Sequence, residues 1–342
     1  MGLTKFPNGI QTPVTGSTRH WLPNGAEVWF VGETNASDDN RGNDYDRPLA
    51  RISKATVDKV PSSAGSANGR GDIIMVAPGR YAENVRIIDR DRTRIVGSGV
   101  GLSTVVPGDT VSTQDADNEG QSQTITLTNQ TTEMTDWAFI VGSRGVSIEG
   151  FMILATGNAA GAIGGIYIGD GGVINSANNW GSSQFSISDI FMDGEGGFAG
   201  GWGMVWDGFG PGGVVENVRI TRFRSGGLLV GGGTGRNTIG GIFRYNHIYG
   251  CRGYGIRRSV ITGAAGLRGV GLNQYIVNTI ADGDGTAFTN AILLGINPTH
   301  ADHVIGNHLL TSATAISATA TDRLSGNYTS AGADSPTYVS MA

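Results

Sequence analysis

A short motif that ends in asparagine returns along the second half of this chain. Apolar residues follow the asparagines, as in Asn246-His247-Ile248 and Asn278-Thr279-Ile280. A period of roughly 20–40 residues with one strand motif per period is typical of a solenoid. The motif ends at Asn217, Asn246, Asn278, Asn307 and Asn327, with steps of 29, 32, 29 and 20 residues between them.

The asparagines predict a structural ladder. Asn suits a bend that is stacked on itself, because it tolerates left-handed backbone and its amide both donates and accepts hydrogen bonds. Stacked strands repeat at ~4.8 Å, so neighbouring amides can hydrogen-bond to each other. We therefore expect all five asparagines to lie at one bend.

A second strand follows each bend after a Gly-rich turn, as in Gly165-Ile166-Tyr167-Ile168 and Gly203-Met204-Val205-Trp206. Helical periodicity is confined to 50–60, with a stop at Pro61. With 57 glycines in 342 residues but no Gly-X-Y period, collagen and plain disorder are poor interpretations. These patterns predict one elongated all-β domain.

Composition excludes several classes of function. The net charge of −5 disfavours nucleic-acid binding, which needs a basic surface. No run of 18 apolar residues exists, so membrane insertion is not expected. The N-terminus has no signal-peptide core, and the single Cys251 fits folding in a reducing cytoplasm.

The N-terminal third resembles the opening of pectin-lyase-like right-handed parallel β-helices. In that superfamily a first strand ends in a Gly/Asp loop, a short capping helix follows, and a hairpin then enters the first full rung. The corresponding segments are Val28-Trp29-Phe30-Val31-Gly32, Asp38-Asp39-Asn40-Arg41-Gly42, Arg47-Pro48-Leu49-Ala50-Arg51-Ile52 and Gly71-Asp72-Ile73-Ile74-Met75-Val76-Ala77-Pro78-Gly79. The resemblance implies a right-handed parallel β-helix, and its superfamily holds pectinases, epimerases and bacteriophage proteins alike.

The segment Gly79-Arg80-Tyr81-Ala82-Glu83 is similar to the "Gly-x-Tyr-x-Glu" motif of pectin methylesterases. The downstream catalytic Gln, paired Asp and Arg motifs of those enzymes are not visible in this sequence. The alternative interpretation is structural, with a packed Tyr81 and a Glu83 that satisfies a turn.

One cluster is a candidate for polysaccharide chemistry. Glycoside hydrolysis needs two carboxylates roughly 5–9 Å apart in a cleft. Asp193 with Glu195, or Asp170 with Asp207, can project from neighbouring rungs, although Asp-Gly and Glu-Gly are also common turn pairs. The aromatic residues of the region, which are candidates for stacking on sugar rings, are Trp180, Trp202, Trp206 and Phe209.

Metal and cofactor sites are not expected. The loop from Asp38 to Asp46 carries oxygen ligands suited to Ca²⁺ but interrupts them with Arg41. His303 and His308 flank Asn307 on segments that strand alternation aims differently, and His300 precedes them. The Gly231–Gly235 run lacks the lysine of a phosphate loop.

The flanks divide the chain into an N-terminal arm at 1–27, a capping helix with the first rungs at 28–97, the main β-helix at 98–330 and a tail at 331–342. The arm is rich in Pro, Gly and Thr and cannot form its own core, so we expect it to dock on a partner. Its opening resembles that of small phage particle proteins. The predicted apolar anchors are Phe6, Ile10, Val14 and Trp21.

Two functional hypotheses remain. The first is a non-enzymatic structural protein of a bacteriophage virion, a decoration protein or spike held by its arm to capsid or tail proteins. The alternative is a tailspike that binds or depolymerises host surface polysaccharide; such proteins are usually longer and carry a further C-terminal domain. For either, we expect a homotrimer packed through the Gly-rich, charge-poor rungs from Ile163 to Val230.

Overall fold

Three parallel sheets wind into a right-handed parallel β-helix, which confirms the predicted fold class. Each rung adds one strand to sheet 1, then one to sheet 2, then one to sheet 3. This computed structural model describes residues 26–62, 69–107, 134–155, 162–169, 183–194, 201–207, 210–231, 238–258, 272–282, 288–294, 301–311, 314–318, 322–330 and 336–339.

The strands are mostly three to five residues long. Sheet 1 holds Val28–Val31, Ile73–Val76, Arg94–Gly97, Ser147–Glu149, Ser186–Ser188, Val214–Glu216, Ile242–Arg244, Gln274–Ile276, His303–Ile305 and Arg323–Ser325. Sheet 2 holds Gly79–Tyr81, Ser103–Val105, Met152–Leu154, Phe191–Asp193, Arg219–Thr221, His247–Tyr249, Thr279–Ala281, His308–Leu310, Asn327–Ser330 and the antiparallel Pro336–Val339. Sheet 3 holds Val85–Ile88, Met134–Gly142, Ala162–Gly169, Trp202–Asp207, Gly226–Val230, Tyr254–Arg258, Asn290–Leu294 and Thr314–Ser317, and a separate pair joins Gly210–Pro211 to Thr238–Ile239.

The core is built from columns of apolar side chains, one per rung. Sheet 1 aligns Ile187 with Val215 and Val215 with Phe243, and all three are buried. Because alternate residues of a strand point to opposite faces, one inward residue per three-residue strand fills the interior and its neighbours face outward.

A short helix covers the N-terminal end of the solenoid. An α-helical turn at Ile52–Lys54 continues into wider π-helical turns at Ala55–Lys59, where the Val60 N–H donates to the Ala55 carbonyl at 3.1 Å. The helix contacts the first strands of sheets 1 and 3, so it caps the end as the sequence predicted. No helix in the described part of the chain is long and apolar enough to cross a membrane.

One left-handed residue turns the chain between sheet 1 and sheet 2, and the residue after it points into the interior. The left-handed residues with their φ angles are Gly150 (77°), Asp189 (53°), Asn217 (53°), Tyr245 (57°), Val277 (50°), Gly306 (65°) and Gly326 (61°). The inward residues that follow include Val218, Asn246, Asn278, Asn307 and Asn327, all buried.

Four of the five asparagines form the ladder. The Nδ2 of Asn246 donates to Oδ1 of Asn278 at 3.0 Å, Asn278 to Asn307 at 2.9 Å, and Asn307 to Asn327 at 2.9 Å. The same oxygens accept backbone N–H groups at 2.8–3.0 Å. The ladder residues themselves are not left-handed; the residue before each of them takes that conformation.

The prediction for Asn217 is wrong. Sheet register places Glu216 opposite Arg244, which puts Val218 opposite Asn246 and Asn217 opposite Tyr245. The motif step of 29 residues thus exceeds the structural step by one. Asn217 is left-handed and exposed, and its amide donates to Asp189 outside the core.

Candidate functional site

The outer face of sheet 3 differs from that of sheet 1. Sheet 1 displays ion pairs, such as Arg244 Nε with Glu216 Oε2 at 2.8 Å. The outer face of sheet 3 carries Tyr167, Val205 and Leu229. Each lies between two core residues of its strand, and each is buried. These residues belong to the surface from Ile163 to Val230 through which the sequence predicted trimer packing, but they are buried within the single chain.

Aromatic rings flank this apolar patch where the sheet 3 strands begin. Trp137 packs on Tyr167 with ring centroids 5.3 Å apart. Trp202 stacks on Tyr254 at 6.2 Å and 6° between planes, across the intervening Gly226. A Cβ on Gly226 would lie 2.3 Å from the Trp202 ring, so the glycine makes this stacking possible. The Arg257 guanidinium lies over the Tyr254 ring, 4.7 Å from its centroid.

Trp202 and Trp206 lie on opposite faces, although strict alternation places residues four apart on the same face. The reason is an irregularity between them, where the consecutive residues Gly203 and Met204 both face inward: a Cβ on Gly203 would lie 2.2 Å from Ile220. Trp206 is therefore a core residue, packed against Phe185 and Phe243 at 5.3 and 6.1 Å. Its assignment to a sugar-stacking surface is wrong.

The two described carboxylates of the predicted cluster already have partners. Asp193 ends a sheet 2 strand and forms a bidentate ion pair with Arg222, with Nε to Oδ1 at 2.7 Å. Asp207 ends a sheet 3 strand, is nearly buried, and accepts the Tyr167 hydroxyl at 3.3 Å. Each carboxylate is therefore bound by a neighbouring side chain at the end of its own strand.

Glu83 of the "Gly-x-Tyr-x-Glu" segment holds the capping helix. Its two carboxylate oxygens accept the N–H groups of Ile52 and Ser53, each at 2.8 Å. Tyr81 is buried and its hydroxyl donates to the Ala77 carbonyl at 2.9 Å. Burial raises the pKa of Glu83, and the hydrogen bonds from the helix oppose that shift. The structural interpretation accounts for both residues.

A second polar ladder, which sequence reasoning missed, lies at the corner between sheets 3 and 1. Asn273 donates its N–H to Asp302 at 3.0 Å, and Asp302 donates its own to Asp322 at 3.0 Å. The buried Arg258 guanidinium reaches both aspartates at 2.7 and 3.1 Å. Burial raises the pKa of Asp302 against the lowering effect of Arg258. In the sequence, the only sign of this ladder is a polar residue just before each of three sheet 1 strands. Arg258 could not be linked to it, because it lies 44 residues from Asp302 and 64 from Asp322.

The metal candidates stay dispersed. Across the described ranges, no three His, Cys, Asp or Glu side chains converge on one point. In the 38–46 loop, Asp38 pairs with Arg51 at 2.5 Å and accepts the Ala50 N–H at 3.2 Å. His303 lies on sheet 1 and His308 on sheet 2. Burial raises the pKa of the Cys251 thiol to about 12.

Several predicted site residues lie outside the described ranges. They are the polysaccharide candidates Asp170, Trp180, Glu195 and Phe209, the histidine His300, and the arm anchors Phe6, Ile10, Val14 and Trp21.

The comparisons with known proteins show the fold alone. The chain matches no protein-family model and no curated protein. Its structure is similar to a pectin methylesterase solved in complex with a hexasaccharide, at 10% identity over 91% of each chain and a TM-score of 0.52. The pectin methylesterase PemA from Erwinia chrysanthemi gives 10% identity over 90% of each chain and a TM-score of 0.41. ORF18 of Geobacillus virus E2 gives 12% identity over 88% of this chain and 60% of that one, with a TM-score of 0.31. The architecture is thus a parallel β-helix, a fold that this chain shares with the first of these pectin methylesterases.

Proposed function

We propose that this protein is a non-enzymatic structural component of a bacteriophage virion, a surface decoration or spike folded in the host cytoplasm. The observation that carries the non-enzymatic part is the state of the candidate cluster. Asp193 is ion-paired with Arg222, Asp207 is buried beside Tyr167, and Trp206 belongs to the core. A glycosidase instead presents two carboxylates to an open cleft.

The particle role rests on the sequence of the N-terminal arm. Residues 1–27 offer four apolar anchors in a segment too short and too rich in Pro and Gly to form a core. Such an arm gains order only by docking, and capsid or tail proteins are the proposed partners. The proposed assembled unit is a homotrimer.

Deletion of residues 1–20 tests the particle role. The shortened protein should fold and associate like the full chain but should be absent from purified particles, as measured by quantitative blotting. A full-length variant with Trp21→Ala should incorporate less than wild type. Normal incorporation of the deletion variant would contradict the anchoring function.

The alternative, a tailspike acting on host polysaccharide, is favoured by one observation: Tyr254 and Arg257 are half-buried on the outer face of sheet 3, with the guanidinium over the tyrosine ring, although the Trp202 ring stacked on Tyr254 is buried. Incubation of purified protein with host envelope polysaccharide distinguishes the two. We expect no release of oligosaccharides, and no change in particle assembly in Asp193→Asn or Glu195→Gln. Release that both substitutions abolish would establish the alternative.

A further inference from the structure

The corner between sheets 1 and 2 carries exposed apolar residues on consecutive rungs. Tyr245 is 59% exposed, Val277 42% and Ile305 37%, and Ile276 lies half-buried beside them. We call these four residues the corner ridge. Their rungs are neighbours in the sheet register, so the ridge runs parallel to the solenoid axis.

Two ridge residues hold unfavourable backbone conformations. Tyr245 and Val277 take φ of 57° and 50°, where aromatic and β-branched residues are rare outliers. Other rungs place Gly306 or Gly326 at this position and avoid the strain. Backbone strain of this kind clusters at functional sites, where the surrounding structure holds the residue in place. Since these side chains face solvent, their contribution to this chain's own core is small, which points to a contact with another molecule.

On the rung before the ridge, opposite charges lie on the two sides of the corner between sheets 1 and 2. Glu216 ends its strand on the sheet 1 side, and Arg219 begins the next strand on the sheet 2 side. Arg219 is exposed, lies over the Phe191 ring at 5.9 Å, and forms no ion pair with the described residues. Glu216 is about one-third exposed while paired to Arg244, so one side of its carboxylate faces solvent.

We propose that the corner ridge is the self-association surface of this protein, and that parallel copies pack around an axis parallel to the solenoid. Such a rotation keeps every rung at its own height, so each rung meets the same rung of the next copy. The sheet 1 margin of one copy then faces the sheet 2 margin of its neighbour. Glu216 faces the neighbouring copy's Arg219, and the ridge residues are buried near the axis. The contact is heterologous and closes into a ring.

Glycine substitution at the ridge tests the association between copies without disturbing the fold of the single chain. In Tyr245→Gly/Val277→Gly both exposed side chains and both strained conformations are removed, and the corner becomes like that of Gly306. By multi-angle light scattering we expect wild type at a multiple of the 35.5 kDa chain mass and the double variant at that mass itself. Its melting temperature, measured at a concentration where wild type is dissociated, should not fall.

Leu272→Gly is the matched control. Leu272 is also left-handed at 55° and 48% exposed, but it precedes Asn273 at the other corner of sheet 1. This variant should keep the wild-type mass. A monomeric wild type, a double variant that remains assembled, or dissociation by Leu272→Gly would each overturn the proposal.

Charge reversal tests the register between copies. Arg219→Glu alone should weaken association at least tenfold. Adding Glu216→Arg together with Arg244→Glu should restore most of that loss, because the contact between copies and the ion pair within the chain then both form with reversed sign. Additive losses would overturn the predicted pairing. The inference is independent of the particle role, since association is measured on purified protein and incorporation on virions.

Discussion

At the scale of single residues, an interior asparagine is stabilised when another amide lies directly above or below it. Asn278 donates to Asn307, accepts from Asn246, and gives its second hydrogen to the Phe243 carbonyl at 2.9 Å. Its own N–H donates to Asn307 as well. Every polar atom of this side chain is therefore satisfied inside the core, which a single apolar replacement cannot reproduce.

Replacing Asn278 with Ala should destabilise the fold by about 1–3 kcal/mol, because it leaves buried partners on both sides unsatisfied. Asn217→Gly is the matched control, since Asn217 carries the same sequence motif but lies outside the ladder. Glycine adopts the left-handed φ of 53° without strain, so the loss should stay within about 0.5 kcal/mol. Urea unfolding followed by circular dichroism measures both. Equal losses would show that the ladder carries no particular stability.

Glu83 bonds a distant hairpin to the start of the capping helix. Glu83→Ala leaves the N–H groups of Ile52 and Ser53 buried without acceptors and should cost about 2–3 kcal/mol. Glu33 offers the control: its carboxylate also accepts a backbone N–H, from Arg80 at 2.7 Å, but at the surface. Glu33→Ala should cost well under half as much by thermal unfolding, and the reverse order would contradict the capping role.

At the scale of elements, the Arg258 cluster joins three rungs of sheet 1 to one strand of sheet 3. Two buried carboxylates share one buried guanidinium, so removal of Arg258 leaves negative charge in the core. Burial already raises the pKa of Asp302, and an acid with a raised folded pKa contributes stability at low pH that is lost as pH rises through that value.

Arg258→Met should therefore destabilise the protein by about 3–5 kcal/mol near pH 7. The loss should shrink as the pH falls, because burial raises the pKa of Asp302 and protonation of that carboxyl removes uncompensated charge. Arg257→Met, one residue earlier on the outer face, is the control and should show a smaller loss with little dependence on pH. Unfolding by urea at several pH values gives the comparison; a pH-independent loss in Arg258→Met would contradict buried charge as its cause.

Elements with a repeated local signal were predictable from the sequence, and those set by register were not. The asparagine period revealed the solenoid, and the segment at 50–60 revealed the capping helix. The misplacement of Asn217 came from a one-residue difference between motif step and strand register. Trp206 was misplaced because Gly203 and Met204 face inward in succession, an irregularity within the strand that the sequence does not reveal.

At the scale of the whole molecule, the three sheets expose different surfaces. Sheet 1 displays ion pairs, sheet 3 hides an aromatic and apolar outer face, and the corner between sheets 1 and 2 leaves its apolar residues in solvent. One end is covered by the helix at 52–59, and at the other an antiparallel strand, Pro336–Val339, pairs with the last strand of sheet 2. The sequence predicted an exposed, charge-poor face on the rungs from Ile163 to Val230, whereas Tyr167, Val205 and Leu229 are buried there and the apolar residues at the corner between sheets 1 and 2 are exposed.

Because each asparagine of the ladder bonds its neighbours in the same way, whole rungs of this protein can be removed without interrupting the ladder. Excision of residues 279–307 joins Asn278 to His308 and removes one strand from each sheet. Asn278 then lies directly against Asn327, and the amide chain continues without a gap. The excision also removes Asp302 and leaves Arg258 facing Asp322 alone, one charge of each sign.

The shortened chain should fold cooperatively, with a β-sheet circular dichroism spectrum and a single unfolding transition, because each rung of a solenoid contacts only its neighbours. Excision of 279–300 removes part of a period, breaks the ladder register and should give aggregated or unfolded protein. A fold that tolerates only the first excision changes its length by whole rungs. Insertion or loss of one gene segment that encodes a rung would then set the height of the protein.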